Sequence, residues 1–122
     1  MTIKQIDSQT GLTAAFIGAG TSISAITGDW TLALNIQSIV DTAATPVVRF
    51  EFDDTVNSFT GSLCGPTFSA QGAIISSNDI VKRWRSYDFP DMRFGVSGAQ
   101  VRLQLSNITS GASVSYRAWI EY

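Results

Sequence analysis

The chain predicts an all-β fold, an antiparallel β-sandwich or jelly-roll-like single domain, and three observations carry that prediction. Apolar and polar residues alternate with period two through several short runs. Turn residues recur about every eight to twelve positions, the spacing of sandwiches and barrels. No segment holds a helical stripe for more than a turn or two. With 122 residues the chain suffices for one domain that hides most of the surface a compact fold must bury.

Taken in order, 13–17 and 21–26 read as short strands, weakened by alanine, a poor strand former. Trp30 to Gln37 is a strong strand, with Trp30, Leu32, Leu34 and Ile36 on one face. In the next, Val48, Phe50 and Phe52 face one way, and Arg49, Glu51 and Asp53 the other. Further strands are expected over 72–77, 80–87 and 92–96. The last two runs, Gln100 to Ser106 and Ser113 to Tyr122, alternate most cleanly and read as an antiparallel hairpin turning through 107–111. One-sided apolar strands need two layers that cover each other, so a sandwich is favoured over a flat sheet. Each buried Leu- or Phe-sized side chain contributes roughly 1.5–3 kcal/mol, so about a dozen inward residues support the fold without disulfide or metal.

Only 15% of residues are charged, against ~25% in ordinary domains. A surface so poor in charge favours contact with neighbours. Eight Lys and Arg against ten Asp and Glu give a net charge of −2, which offers no field for nucleic acid. Lys82, Arg83 and Arg85 gather around Trp84, but such a cluster is more often one strand whose arginine stems pack beside an aromatic. No apolar run approaches the ~18 residues of a membrane span, so no membrane partner is expected. Cys64 is the only cysteine, which excludes an intrachain disulfide. Residues 1–7 lack the apolar core of a secretory signal, so folding in a reducing cytoplasm is the first expectation and a mature form that has lost its leader the second.

The chain contains no histidine, which removes Ser-His and Cys-His nucleophiles, His-bearing metal sites and the usual neutral-pH base. Cys64, in the turn-like Ser62-Leu63-Cys64-Gly65-Pro66, has no base nearby in sequence and reads as structural. Glu51, Asp53 and Asp54 match no calcium loop, and the first two simply occupy the polar face of a strand. No carboxylate pair is singled out for glycoside hydrolysis. Gly18-Ala19-Gly20 lacks the third glycine of a phosphate-binding loop, and Asn107-Ile108-Thr109 reads as turn rather than glycosylation site. No cofactor, metal or catalytic residue is expected, and an enzyme is the least favoured class.

Trp119 stands apart. Val114, Tyr116, Ala118, Ile120 and Tyr122 share one face of the last strand, while Trp119 shares the other with Ser115, Arg117 and Glu121. A tryptophan among polar neighbours is either an interface aromatic or a cap over a sheet edge.

The stretch Met92 to Ser106, with its Arg-bearing strand, leads through a Gly/Ser turn to the ending Trp119-Ile120-Glu121-Tyr122. It resembles the endings of small β-sandwich virion structural proteins of tailed bacteriophages, and Gly28 to Leu34 is similar in style. The resemblance covers about the last third of the chain. It implies a capsid decoration (cement) protein, or a minor head or tail protein, located in the virion. Its partner would be the major capsid protein or another virion protein, bound as a homo-oligomer, a trimer by preference. It also implies an N-terminal arm over 1–12 that contacts shell or neighbour. The expected interface is therefore Ile3 and Ile6 from the arm, with Trp84, Tyr87 and Trp119 from the body. The competing expectation is a carbohydrate- or receptor-binding sandwich in which Trp84, Tyr87, Phe89 and Trp119 stack on sugars.

Overall fold

In the computed structural model, the described residues are 1–23, 26–40, 46–53, 59, 64–69, 80–90, 92, 94, 98–108 and 112–122. Nine strands follow one another among them: β1 (Ile3–Leu12), β2 (Phe16–Ile17), β3 (Thr21–Ser22), β4 (Thr31–Val40), β5 (Val47–Asp53), β6 (Cys64–Ser69), β7 (Ile80–Arg85), β8 (Gln100–Ser106) and β9 (Ser113–Glu121). Two antiparallel sheets pack face to face, as the alternation demands. The first has the order β1-β9-β4-β7, and the second β2-β8-β5-β6, with β3 also on β8. The chain is an all-β sandwich.

The core lies between the sheets. Leu32, Leu34, Ile36, Val114, Tyr116, Ala118 and Ile120 enter from the first sheet, and Val48, Phe50, Phe52, Val101, Leu103 and Leu105 from the second. Aromatic edges lock it: Phe94 stands edge-on to Trp30 at 5.1 Å and to Phe52 at 4.9 Å, contacts that add about 0.5–1.5 kcal/mol each to simple burial. Between Ile36 and Ser38 a bulge shifts the register of β4 against β9. The extra residue carries Ile39 back into the core after Ile36, three positions earlier instead of two.

Several expectations need correction. The terminal pair is not a hairpin: β8 belongs to the second sheet and β9 to the first. The chain leaves β8 in the second sheet at Asn107, whose φ is +61°, and enters β9 in the first at Ser113. Clean alternation told which face of each strand is buried, but two strands facing one core from opposite layers alternate just as cleanly as two paired ones.

Residues 1–12 are not an arm. Ile3–Leu12 pairs with β9 along its length, and Thr2 and Tyr122 exchange backbone hydrogen bonds beyond the strand ends. Bulges at Gln5/Asp7 and Gln9/Leu12 break its period. Gly11 sits at φ +65°, a left-handed position that glycine adopts without strain, and its N–H donates to Ser115 Oγ at 2.9 Å.

The first strand also closes one rim of the sandwich. Thr21 Oγ1 donates to Ile6 O at 2.9 Å, and Lys4 Nζ donates to Ser22 O at 2.6 Å. Gly18 passes so close that a Cβ there would lie 2.6 Å from Asp7 Oδ2. A side chain at this position would require the Asp7 carboxylate to shift.

Smaller differences follow. The strands near 13–17 and 21–26 shrink to two residues each, side by side on β8. Met92 and Phe94 are buried without being in a strand, with Phe94 O accepting from Ile26 N–H. Cys64 opens β6 rather than a turn. After β7 the chain makes one 3-10 turn, Ser86–Asp88. The strand expected over 72–77 and the residue Asp54 lie outside the described residues.

Candidate functional site

The outer face of the first sheet collects the side chains that alternation sends away from the core. Register aligns them in rows across four strands. Ile3, Glu121, Thr31 and Arg85 form one row; Gln5, Trp119, Ala33 and Arg83 the next; Ser8, Arg117, Asn35 and Val81 the third. Residues opposite each other on neighbouring strands share a face at about 4.5–5.5 Å between Cβ atoms, so each row is a contiguous strip.

Trp119 occupies the middle of this face and is half-buried. Ala33 beside it in register is fully buried although it points outward, a methyl flanked by Trp119 and Arg83. The Arg117 guanidinium lies 5.5 Å from the Trp119 ring centre, a cation–π arrangement. Arg83 Nε donates to Glu121 Oε1 at 3.2 Å. Among the described residues Arg85 and Arg117 join no ion pair.

Two shallow depressions share Arg83 and Glu121. One, of about 330 Å³, is lined by Ile3, Gln5, Arg83, Arg117, Trp119 and Glu121. The other, of about 300 Å³, runs past Arg85 to Ser86 and Tyr87. The second is framed by Asp29, whose carboxylate accepts from Ser86 Oγ at 3.3 Å.

The structure thus brings three of the five expected interface residues to one side. Ile3, 60% exposed, and Trp119 line the first depression, and Tyr87, 69% exposed, lines the second. The other two lie elsewhere. Ile6 is only 6% exposed and belongs to the core, because the bulge next to it turns its side chain inward. Trp84 points to the inner side of β7, half-buried and edge-on to Phe50 at 5.6 Å. Phe89 likewise packs against the core.

Sequence reasoning missed Arg83, Arg85, Arg117 and Glu121 as one group. Alternation placed Arg117 and Glu121 beside Trp119, but only the β9-β4-β7 order brings Arg83 and Arg85 there.

Elsewhere the polar groups are tied down. Glu51, on the outer face of the second sheet, is held by Arg49 and Arg102, each at 2.9 Å to a different carboxylate oxygen. That use of both oxygens argues against Glu51 as a calcium ligand. No group of three His, Cys, Asp or Glu side chains suited to a metal occurs among the described residues. Inside the sandwich, the Tyr116 hydroxyl donates to Asp7 Oδ2 at 3.0 Å, while Asp7 Oδ1 accepts from Ser8 N–H and Gln9 Nε2. Burial, then the Asp7 charge and this hydrogen bond, push the Tyr116 phenol far above its usual pKa. The hydrogen bond ties β1 to β9 through their side chains.

No helix of the described residues is long and apolar enough to cross a membrane. No family model matches the chain, and neither the curated proteins nor the solved structures offer a significant match.

Proposed function

We propose that this protein is a structural docking protein, and that it binds its partner through the outer face of the first sheet. The observation that carries the reading is Trp119: a half-buried indole at the centre of an outward face, with exposed Ile3 in the adjoining row and arginines around it. Aromatic and arginine side chains of this kind are the usual energetic centres of protein interfaces. The low charged fraction points the same way.

The partner, on this reading, is a phage virion, and the protein is a capsid decoration or cement protein that binds the assembled shell in many copies. Support comes from the resemblance of the 92–122 region to such proteins. A homo-oligomer, with a trimer first among the options, would present several copies of the face at a symmetry axis of the shell. The major capsid protein or another virion protein would receive it. Quantitative mass spectrometry on density-purified phage particles tests the assignment. Tens to hundreds of copies per particle is the expected result, and absence from clean particles would sink it.

A second reading is favoured by one observation: Tyr87 and Trp119 share this face with arginines, Gln5 and Glu121, a set able to stack on and hydrogen-bond sugars. A glycan array separates the two. Specific binding that Trp119→Ser abolishes would favour the carbohydrate module.

A further inference from the structure

We infer that the edge of β7 that faces away from β4, unpaired among the described residues, accepts an extended acidic segment of the partner protein as a fifth strand of the first sheet. The inference rests on the reading that this sheet is the docking side, and it adds the chemistry of what docks. Three observations carry it.

The first is an open backbone. β7 ends the order of its sheet, and among the described residues no strand pairs with its far side. Ser86 N–H donates to Trp30 O at 2.9 Å, and Trp84 and Lys82 stand opposite Leu32 and Leu34 in the same register. By the alternation of an antiparallel ladder, the backbone groups of Val81, Arg83 and Arg85 therefore point away from β4, toward the open edge. Main-chain pairing along such an edge is a common mode of peptide recognition.

The second is charge. Lys82, Arg83 and Arg85 are all exposed within six residues of strand. Arg83 and Arg85 lie on the outer face, beside the depression that ends at Tyr87. Pairing this edge with the same edge of a second copy would set cations against cations, which is destabilising. A strand with carboxylates at alternate positions would instead place each one beside Arg83 or Arg85. Its intervening side chains would lie on the inner side, next to Trp84 and to Lys82, whose ammonium is 5.8 Å from the Phe68 ring centre.

The third is the contrast with the opposite edge. β1 carries two bulges, and such breaks keep an edge from templating another strand. β7 shows no register shift over six paired positions. Of the two edges of this sheet, regular backbone and positive charge coincide at β7.

The test uses the full-length protein and a fluorescein-labelled eight-residue peptide alternating glutamate with valine and threonine. Its controls are the same peptide with lysine for glutamate, and a version N-methylated at the amides facing β7. Binding of the glutamate peptide is expected, with slowed amide exchange at Val81 and Arg83. The lysine and N-methyl peptides should bind at least roughly tenfold more weakly. The double variant Arg83→Glu/Arg85→Glu, checked for an unchanged melting temperature, should invert the preference between glutamate and lysine peptides. Equal binding of both peptides, no binding of the glutamate peptide, or unprotected β7 amides would overturn the inference. If the protein is found on particles but the peptide results fail, this inference falls and the virion reading stands. If the peptide results hold and particles lack the protein, the reverse applies.

Discussion

On the outer face of the second sheet, Glu51 is 6% exposed and clamped at 2.9 Å by both Arg49 and Arg102, and the Arg102 guanidinium in turn lies 4.2 Å from the Phe59 ring centre. Arg49 is further held by Gln104 at 2.6 Å. On the outer face of the first sheet, Glu121 meets Arg83 alone, at 3.2 Å, while Arg85 and Arg117 face outward. Arg83, Arg85 and Arg117 against Glu121 leave a formal surplus of two positive charges on a chain whose total is −2. Arg49 and Arg102 against Glu51 and Asp53 leave none. Both faces are built from the same residue types. One spends them on internal order, and the other leaves them available to a partner. The lesson is that a charged residue's role is set by how completely its neighbours satisfy it, more than by its presence on a strand.

The sharpest way to break that comparison is Glu51→Gln. Removing the carboxylate leaves two arginines around an uncharged group in a nearly buried position, and a loss of about 2 kcal/mol is expected, below the full cost of a deeply buried pair because both arginines reach solvent. Chemical denaturation measures it. A loss no larger than that of Glu121→Gln would mean the two faces do not differ as described.

Tyr116→Phe probes the layer beneath the docking face. It removes a hydrogen bond to a carboxylate, at a cost of about 1.5 kcal/mol. The wild type should also lose stability in alkali. In the unfolded chain the phenol ionises near pH 10, while folding holds it protonated well above that value. The unfolded state thus binds fewer protons once the pH passes 10, so the contribution present below pH 10 is lost as the pH rises. The slope from this one group reaches at most about 1.4 kcal/mol per pH unit. Stability curves of wild type and Tyr116→Phe that run parallel between pH 9 and 11 would contradict this.

The smallest effects on stability should come from the first sheet's outer face. Arg83→Ala breaks an exposed ion pair and should cost about 0.5 kcal/mol or less, readable as a nearly unchanged denaturation midpoint. A loss comparable to Glu51→Gln would place Arg83 among the residues that hold the fold.

The fold class was legible because β5, β8, β9 and β4 as far as Ile36 alternate apolar with polar residues, and all have one side against the core. Their partners were not legible. Alternation states a strand's buried face and says nothing about which layer holds it, and so β8 and β9 read as a hairpin. β1 was hidden by its own bulges: Ile3 and Ile6 are three apart, and no period-two pattern survives the shift. Trp84 lies between Arg83 and Arg85 and Trp119 two residues after Arg117, yet Trp84 faces Phe50 while Trp119 lies on the outer face beside Arg117. For Trp119 the apolar row of Tyr116, Ala118 and Ile120 settles the direction. On β7 the inward row contains Lys82, so polarity misleads, as it does on many edge strands.

The most direct test of the docking face is a competition between wild-type protein and Trp119→Ser for phage particles, with the melting temperature of each recorded beforehand. Mass spectrometry of the purified particles gives the ratio bound. The expected result is a variant that melts within a few degrees of wild type, the loss of a half-exposed ring costing about 1 kcal/mol or less, yet is strongly depleted on particles. Equal occupancy by both proteins would place the docking face elsewhere, and depletion matched by a collapse in melting temperature would show that Trp119 serves the fold.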